Sequence, residues 1–295
     1  MKKILVTGGS GFVGSHIVEA LRSRGLQATV LTRHHGNNNG KKGEVILTDV
    51  TDREAVSEAV YSHDGVIHAA GVLGTQESLA DPAKSMQVNV LGSINVFDAC
   101  RMYRKKAVYL SVANYGASNP YAISKSAAER YALMYNKEFK TQIAILRGVN
   151  IYGPGQRSEG VRKAIPQFIR AALRGEDLEV YGSGNQIMDL IYVTDFAELC
   201  VRALLLDHGI YDHALEAGMG SDITVNRLAE SVIKSCNSNS KINHLPMRAG
   251  ETPGSDVKAD VSTLSALDYR AEAMTSLEVG MKSTVEWFLK HPALA

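Results

Sequence analysis

Residues 109–125 read YLSVANYGASNPYAISK, which sets Ser111 ten positions before Tyr121 and Lys125 four positions after it. On a helix, residues four apart share a face, so the Tyr121 phenol and the Lys125 ammonium are expected to be neighbours. A fixed positive charge favours the phenolate and lowers a pKa that is about 10 when unperturbed, the shift a general acid/base needs near neutrality. Ser111 follows the apolar run AVYL and is expected at the end of a buried strand. Open α/β sheets place their ligands at such ends. A Tyr/Lys pair at this spacing also arises on ordinary surface helices, and serine after a strand is common turn chemistry. The surrounding elements must decide between these readings.

A second cluster lies at the start of the chain. Residues 7–14 read TGGSGFVG, directly after the strand-like KKILV and at the head of a helix expected from about Gly11 to Arg24. Gly8, Gly11 and Gly14 are spaced by three, and Gly9, Gly11 and Gly14 fit the G-x-G-x-x-G pattern. The early glycines permit a tight turn and a close approach of backbone to a pyrophosphate, and Gly14 lets the helix pack near the sheet. The helix start, with Phe12 and Val13, offers free N–H groups to the phosphates. Position between strand and helix is the context that separates a dinucleotide loop from a plain glycine turn. An acid at the end of the second strand would mark NAD. Thr32 and Arg33 stand there instead, and a guanidinium suits a 2′-phosphate, so NAD(P) is expected with a tilt toward NADP. The alternative is that Arg33 is a solvated surface residue and NAD binds.

These clusters require an α/β scaffold, and the apolar pattern supplies one. QATVLT, EVILTD, GVIHAAG, AVYLSV and TQIAILR read as strands alternating with helices, among them one near Asp81–Arg104 and the one carrying Tyr121. The alternation predicts a Rossmann-like, doubly wound parallel sheet. Residues 1–157 are assigned to this dinucleotide-binding domain. Residues 158–295, with helices near Val161–Arg174, Thr194–Leu206 and Thr224–Ser235, are assigned mainly to a smaller α/β substrate domain, and about 190–215 return to the first. HHGNNNGKKG, 34–43, is read as a loop rather than a boundary.

Bulk properties exclude several classes. A chain of 295 residues, 45% of them hydrophobic, can bury a large core. The formal net charge of +1, with no basic run interleaved with aromatics, argues against nucleic-acid and membrane partners. Cys100, Cys200 and Cys236 are scattered and without CxxC spacing, as expected of reduced thiols in a cytoplasmic protein. MKKILVTGG is read as a first strand, not a secretory signal, and no apolar run reaches the ~18 residues of a membrane span. His34, His35, His63, His68, His208, His213 and His244 form no ligand-spaced set and are read as loop or surface residues, so no metal is expected.

With both clusters in view, the sequence resembles the extended short-chain dehydrogenase/reductase family, in its nucleotide-sugar epimerase/dehydratase branch, nearly end to end. TDVTD matches the segment whose acid, here Asp49, caps the adenine, with Val50 beside it; HAAG matches the turn along the cofactor and brings Ala69, Ala70 and Gly71. NVLGSINVFDA brings Asn89, implied to steady the active-site backbone. LRGVNIYGPGQ implies Val149 near the nicotinamide and Asn150 near the substrate. VYGSGNQIMDLIYVTD and MRAGETPGSDVKAD match substrate-side segments containing Met188, Arg248 and Glu251, and LEVGMKSTVEW matches the last helix. The resemblance implies Ser111, Tyr121 and Lys125 as catalytic residues. It also implies a nucleotide diphosphate sugar as substrate, and a homodimer formed through the Asp81–Arg104 and Tyr121 helices, with Val96, Phe97, Ala127, Ala128 and Leu133 as surplus apolar positions.

Two departures from the family pattern stand out. Only ASNP links Gly116 to Tyr121, so the pocket should be more open or closed by another segment. Met188 occupies a position where an arginine commonly grips the diphosphate, leaving Arg248, with Arg157 or Arg162, to compensate. By resemblance, an epimerase would oxidise a sugar hydroxyl transiently and return the hydride. Val112 and Ala113 replace the acid pair a 4,6-dehydratase would need. An NADPH-dependent ketoreductase and, in another class, a non-catalytic dinucleotide sensor are the alternatives.

Overall fold

The computed structural model describes residues 1–33, 44–206 and 210–292; His34, His35, His208 and the 34–43 loop lie outside the described residues. In chain order the strands are β1 (Lys3–Thr7), β2 (Gln27–Thr32), β3 (Val45–Leu47), β4 (Gly65–His68), β5 (Lys106–Val112), β6 (Ile143–Gly148), β7 (Ile151–Tyr152), β8 (Leu178–Tyr181), β9 (Ile187–Met188), β10 (Ile191–Tyr192), β11 (Ala214–Ala217), β12 (Ile242–Leu245) and β13 (Asp256–Val257). The helices are α1 (Phe12–Ser23), α2 (Arg53–Tyr61), α3 (Thr75–Ala80), α4 (Pro82–Ser85), α5 (Gly92–Tyr103), α6 (Pro120–Phe139), α7 (Ala164–Arg174), α8 (Val193–Leu205), α9 (Val225–Ser235) and α10 (Leu277–Lys290).

Strands buried on both faces read as continuous apolar runs, and KILVT, QATVLT and KAVYLSV behave so. They form a seven-stranded parallel sheet in the order β11-β6-β5-β4-β1-β2-β3. The register sets Thr7 beside Leu31 and His68, and Ser111 beside Arg147. The C-terminal ends of the strands therefore line up on one edge. One face packs Ile17, Leu21, Phe196 and Cys200 of α1 and α8 against the sheet; the other packs Val56, Phe97, Ala128 and Ala132 of α2, α5 and α6. Both α8 and β11 come from beyond residue 190. A third cluster, including Phe168, Ile169, Leu178, Leu228, Val285 and Phe288, forms the core of the remaining C-terminal elements.

Asp189 fixes the two parts together. Fully buried, its carboxylate accepts hydrogen bonds from the N–H groups of Met219, Gly220, Ser221 and Ala259 and from the Ser221 hydroxyl, at 2.9–3.2 Å. Charge-assisted bonds of this kind are the stronger ones.

Three expectations are corrected. The Asp81–Arg104 helix is not continuous: Pro82 restarts the chain at the first turn of α4, and Met86–Leu91 is π-helical before α5 begins. Val96, Phe97 and Ala128 are fully buried within the monomer, because both sheet faces are covered, so they are not surplus. His63 and His68 are buried rather than surface residues. His68 ends a central strand between the Thr7 hydroxyl at 2.6 Å and the Ser93 hydroxyl at 3.0 Å, and burial brings its pKa down to about 3, so it is neutral.

Candidate active site

The trimmed ASNP segment is a helix start. Asn119 caps α6 by accepting from the Ala122 N–H at 2.9 Å, and Pro120 occupies the first turn, where its fixed φ is favourable. Tyr121 is thereby held in the first turn with Lys125 one turn on. The Tyr121 N–H also donates to the Ser78 hydroxyl of α3, at 3.2 Å. A different segment covers the space left by the short loop: Gln76 donates to the Ala249 carbonyl at 2.6 Å, and Asn119 to the Gly250 carbonyl at 3.3 Å. Gly250, at φ +73°, sits so close to Thr75 and Leu79 that a side chain there would collide with both. Residues 249–250 thus close the pocket against α3.

A cleft of about 630 Å³ opens at the C-terminal edge of the sheet. It brings together Gly8, Gly11, Phe12, Val13, Gly14, Ala69, Ser111, Tyr121, Lys125, Asn150, Met188, Arg248 and Glu251, all expected from the sequence. Others stand behind or beside it. Ala70 backs Gly8, and Gly71 lies against Asn89. The buried Asn89 side chain accepts from the Val72 N–H and donates to the Val72 carbonyl and the Ser124 hydroxyl, clipping the 71–72 turn to α6. Val149 is buried and does not line the cleft, although Gly148 and Asn150 on either side do. Thr32, Arg33, Asp49 and Val50 lie outside its lining, at the β2 and β3 ends; Arg33 faces Asp49 at 3.7 Å, and Thr32 bonds Ser10 at 2.7 Å.

The glycines differ in what they permit. A Cβ on Gly14 would run into the backbone of Gly8 and Gly9, and one on Gly8, at φ +68°, would meet the Ala70 backbone at 2.7 Å. Gly11 meets only the Gly8 carbonyl, at 3.2 Å, so packing alone does not demand glycine there.

Behind Ser111 stands a group the sequence reading passed over. The Ser111 hydroxyl lies 2.6 Å from Oε2 of buried Glu129, whose two oxygens also accept from Arg147 Nε at 3.1 Å and Nη2 at 2.5 Å. Arg147 in turn donates to Glu216 at 2.9 Å and stacks 4.0 Å from the Tyr115 ring centroid. A carboxylate held by a guanidinium fork is acceptor-only, so Ser111 gives its proton to Glu129 and presents lone pairs to the cleft. Glu129 lies four residues after Lys125, a spacing that places it on the same helix face.

The expected lowering of the Tyr121 pKa is not found. Burial pushes Tyr121 up to about 12. The Lys125 ammonium lies over the Tyr109 ring, 4.3 Å from its centroid, and burial brings Lys125 itself down to about 7, with Glu129 pulling the other way. Between the ordinary value of 10.5 and about 7 the unfolded chain binds a proton that the folded chain does not. Stability is therefore lost as pH falls through that window, and the cost is constant below it. Lys125→Met should stabilise the dinucleotide-stripped protein by ~2–4 kcal/mol at pH 7, with the gain shrinking toward pH 10. Urea melts at the two pH values measure this; equal stability at pH 7 would mean that the buried charge costs nothing.

On the substrate side, Arg248 pairs with Glu251 and stacks 4.4 Å from the Tyr181 ring centroid. Asn150, at φ +37°, donates to the Asp189 carbonyl at 2.8 Å. Met188 is half-buried on β9 and offers no donor from its side chain. Arg162 and Lys163 also line the cleft, whereas Arg157 does not.

Residues 4–213 match the family model described as the NAD dependent epimerase/dehydratase family. The chain belongs to that family, and it is an enzyme of it. Over 97% of this chain and 98% of that protein, it is 29% identical to a UDP-N-acetyl-alpha-D-glucosaminuronate decarboxylase of Bacillus cytotoxicus. It is 30% identical to a putative UDP-glucose 4-epimerase of Methanocaldococcus jannaschii, over 96% of this chain and 97% of that protein. Among solved structures, the Thermus thermophilus UDP-glucose 4-epimerase in complex with NAD superimposes with a TM-score of 0.86 at 28% identity, covering 97% of this chain and 99% of that one. Among the described residues, no helix is long and apolar enough to cross a membrane, and no group of three or more metal-ligating side chains is present.

Proposed function

We propose that this chain is an NAD-dependent nucleotide-sugar epimerase that oxidises a sugar hydroxyl transiently and returns the hydride to the same carbon. The observation that carries the reading is the convergence of Ser111, Tyr121 and Lys125 with the glycine loop in one cleft whose adjoining wall, Val112 and Ala113, is apolar. That wall supplies no acid/base pair for 4,6-elimination. The relatives' names, a UDP-glucose 4-epimerase and a UDP-uronate decarboxylase, support a nucleotide diphosphate sugar as substrate.

The open space beside Gly11 fits a pyrophosphate, held by the 8–14 loop and the α1 N-terminus, with Thr32, Arg33, Asp49 and Val50 toward the adenosine. NAD⁺ bound there supplies the hydride acceptor. Tyr121 takes the proton of the reacting hydroxyl. Ser111, whose proton goes to Glu129 before substrate binds, turns its hydroxyl to donate to the reacting oxygen and orients it. Lys125 holds the ribose. Asn150, Arg248 and Glu251 face the nucleotide sugar. NAD is favoured over NADP: the family description and the Thermus complex name NAD, and Arg33 is already drawn to Asp49. The tilt toward NADP finds no support in the relatives. A homodimer through α5 and α6 draws its support from other apolar residues than those first singled out, since Met102, Ile123 and Tyr131 are exposed on these helices.

Mass spectrometry of small molecules released from the denatured protein tests the cofactor reading. Tightly retained NAD is expected of a redox-neutral epimerase. NADP, or an empty site, would favour the ketoreductase alternative.

A further inference from the structure

Lys163 has no part in the motifs, yet it stands beside the proton-transferring group. It precedes α7 at its N-cap, is exposed, and lines the cleft. Its Nζ lies 6.0 Å from the centroid of the Tyr121 ring. Tyr121 must touch the reacting carbon's hydroxyl, so a cation over its ring confronts the sugar rather than the phosphates beyond it.

The charges around Lys163 leave it without a close counterion. Glu77 and Glu251 attract it and Arg248 repels it. Glu251 is paired with Arg248, and the Glu77 carboxylate folds back against Gly74 at the start of its own helix. Among the described residues, neither acid forms an ion pair with Lys163. The eleven-residue helix α7 has no side-chain cap and no acid in its first turn, so its positive end adds to the ammonium. A neutral sugar seated over this exposed ammonium would displace its water and offer no charge in return. An anionic group on the sugar would compensate it.

We propose that Lys163 reads a carboxylate on the sugar ring, so that this cleft selects nucleotide diphosphate uronates over neutral nucleotide sugars. The proposal rests on the nucleotide-sugar reading above, and the experiment separates the two.

Equilibrium binding is measured by calorimetry in the Tyr121→Phe background, which blocks turnover, with saturating NAD⁺. UDP, dTDP and GDP are titrated first to choose the base. The uronate and the neutral sugar carrying that base are then compared, UDP-glucuronate against UDP-glucose if it is uracil. The uronate is expected to bind about ten- to a hundredfold more tightly. Adding Lys163→Met should abolish the preference while leaving the neutral sugar and the free diphosphate within about threefold, and Lys163→Arg should keep it. Equal affinities in the parent, or a preference that survives Lys163→Met, would overturn the proposal and leave the nucleotide-sugar reading standing. Failure of all three nucleoside diphosphates and their sugars to bind would overturn both.

Discussion

Tyr121→Phe should lower turnover of any sugar the enzyme converts by ~10²–10⁴-fold, the usual worth of a positioned general acid/base. NAD⁺ affinity should stay within about threefold, because only the phenolic oxygen is lost and Asn119, Pro120 and the Ser78 contact to the Tyr121 backbone are kept. The high Tyr121 pKa, about 12, makes this a sharp test. A phenol that buried is mostly protonated at neutrality, so it suits protonation of a ketone, whereas taking the proton of an alcohol requires the minor phenolate form. Steady-state rates and NAD⁺ titration of the two proteins check it. A variant retaining more than about a tenth of the activity would place the proton transfer on another group.

Gly11→Val should abolish tight NAD⁺ binding, weakening it by about a hundredfold or more, while the protein remains folded. The two halves of this expectation come from different observations. The Gly11 Cβ direction meets only the Gly8 carbonyl, at 3.2 Å, so the fold tolerates a side chain there with slight adjustment. The same open space is where the pyrophosphate must approach the backbone. Gly14→Val is the contrasting control: its Cβ runs into the Gly8 and Gly9 backbone, so that variant should lose stability first. Dinucleotide titration with thermal melts distinguishes them. A folded Gly11→Val protein with unchanged NAD⁺ affinity would mean that the loop does not hold the pyrophosphate.

Local signals carried much of this architecture, and tertiary packing carried what they missed. The strand runs were legible because a parallel sheet buried on both faces demands continuous apolar stretches. Asn119 and Pro120 are ordinary helix-start residues, and they fix Tyr121 and Lys125 in register. Glu129 was legible in principle, one turn past Lys125, but its bond to Ser111 depends on β5 meeting α6. The pKa expectation failed because spacing reports which charge is near, while burial decided the sign at Tyr121. Val96 and Phe97 looked surplus on a single helix, and the second face of the sheet absorbed them. Lys163 had no local signal at all. Its place over Tyr121 exists only because the C-terminal elements fold back over the sheet edge.

The most direct test of transient oxidation with hydride return is to run the enzyme in D₂O with a panel of UDP-, dTDP- and GDP-sugars and examine the products by NMR. Epimerisation of at least one sugar is expected, with no deuterium at the inverted carbon and no accumulation of NADH. Deuterium at that carbon, or the absence of epimerisation from every nucleotide sugar, would contradict it.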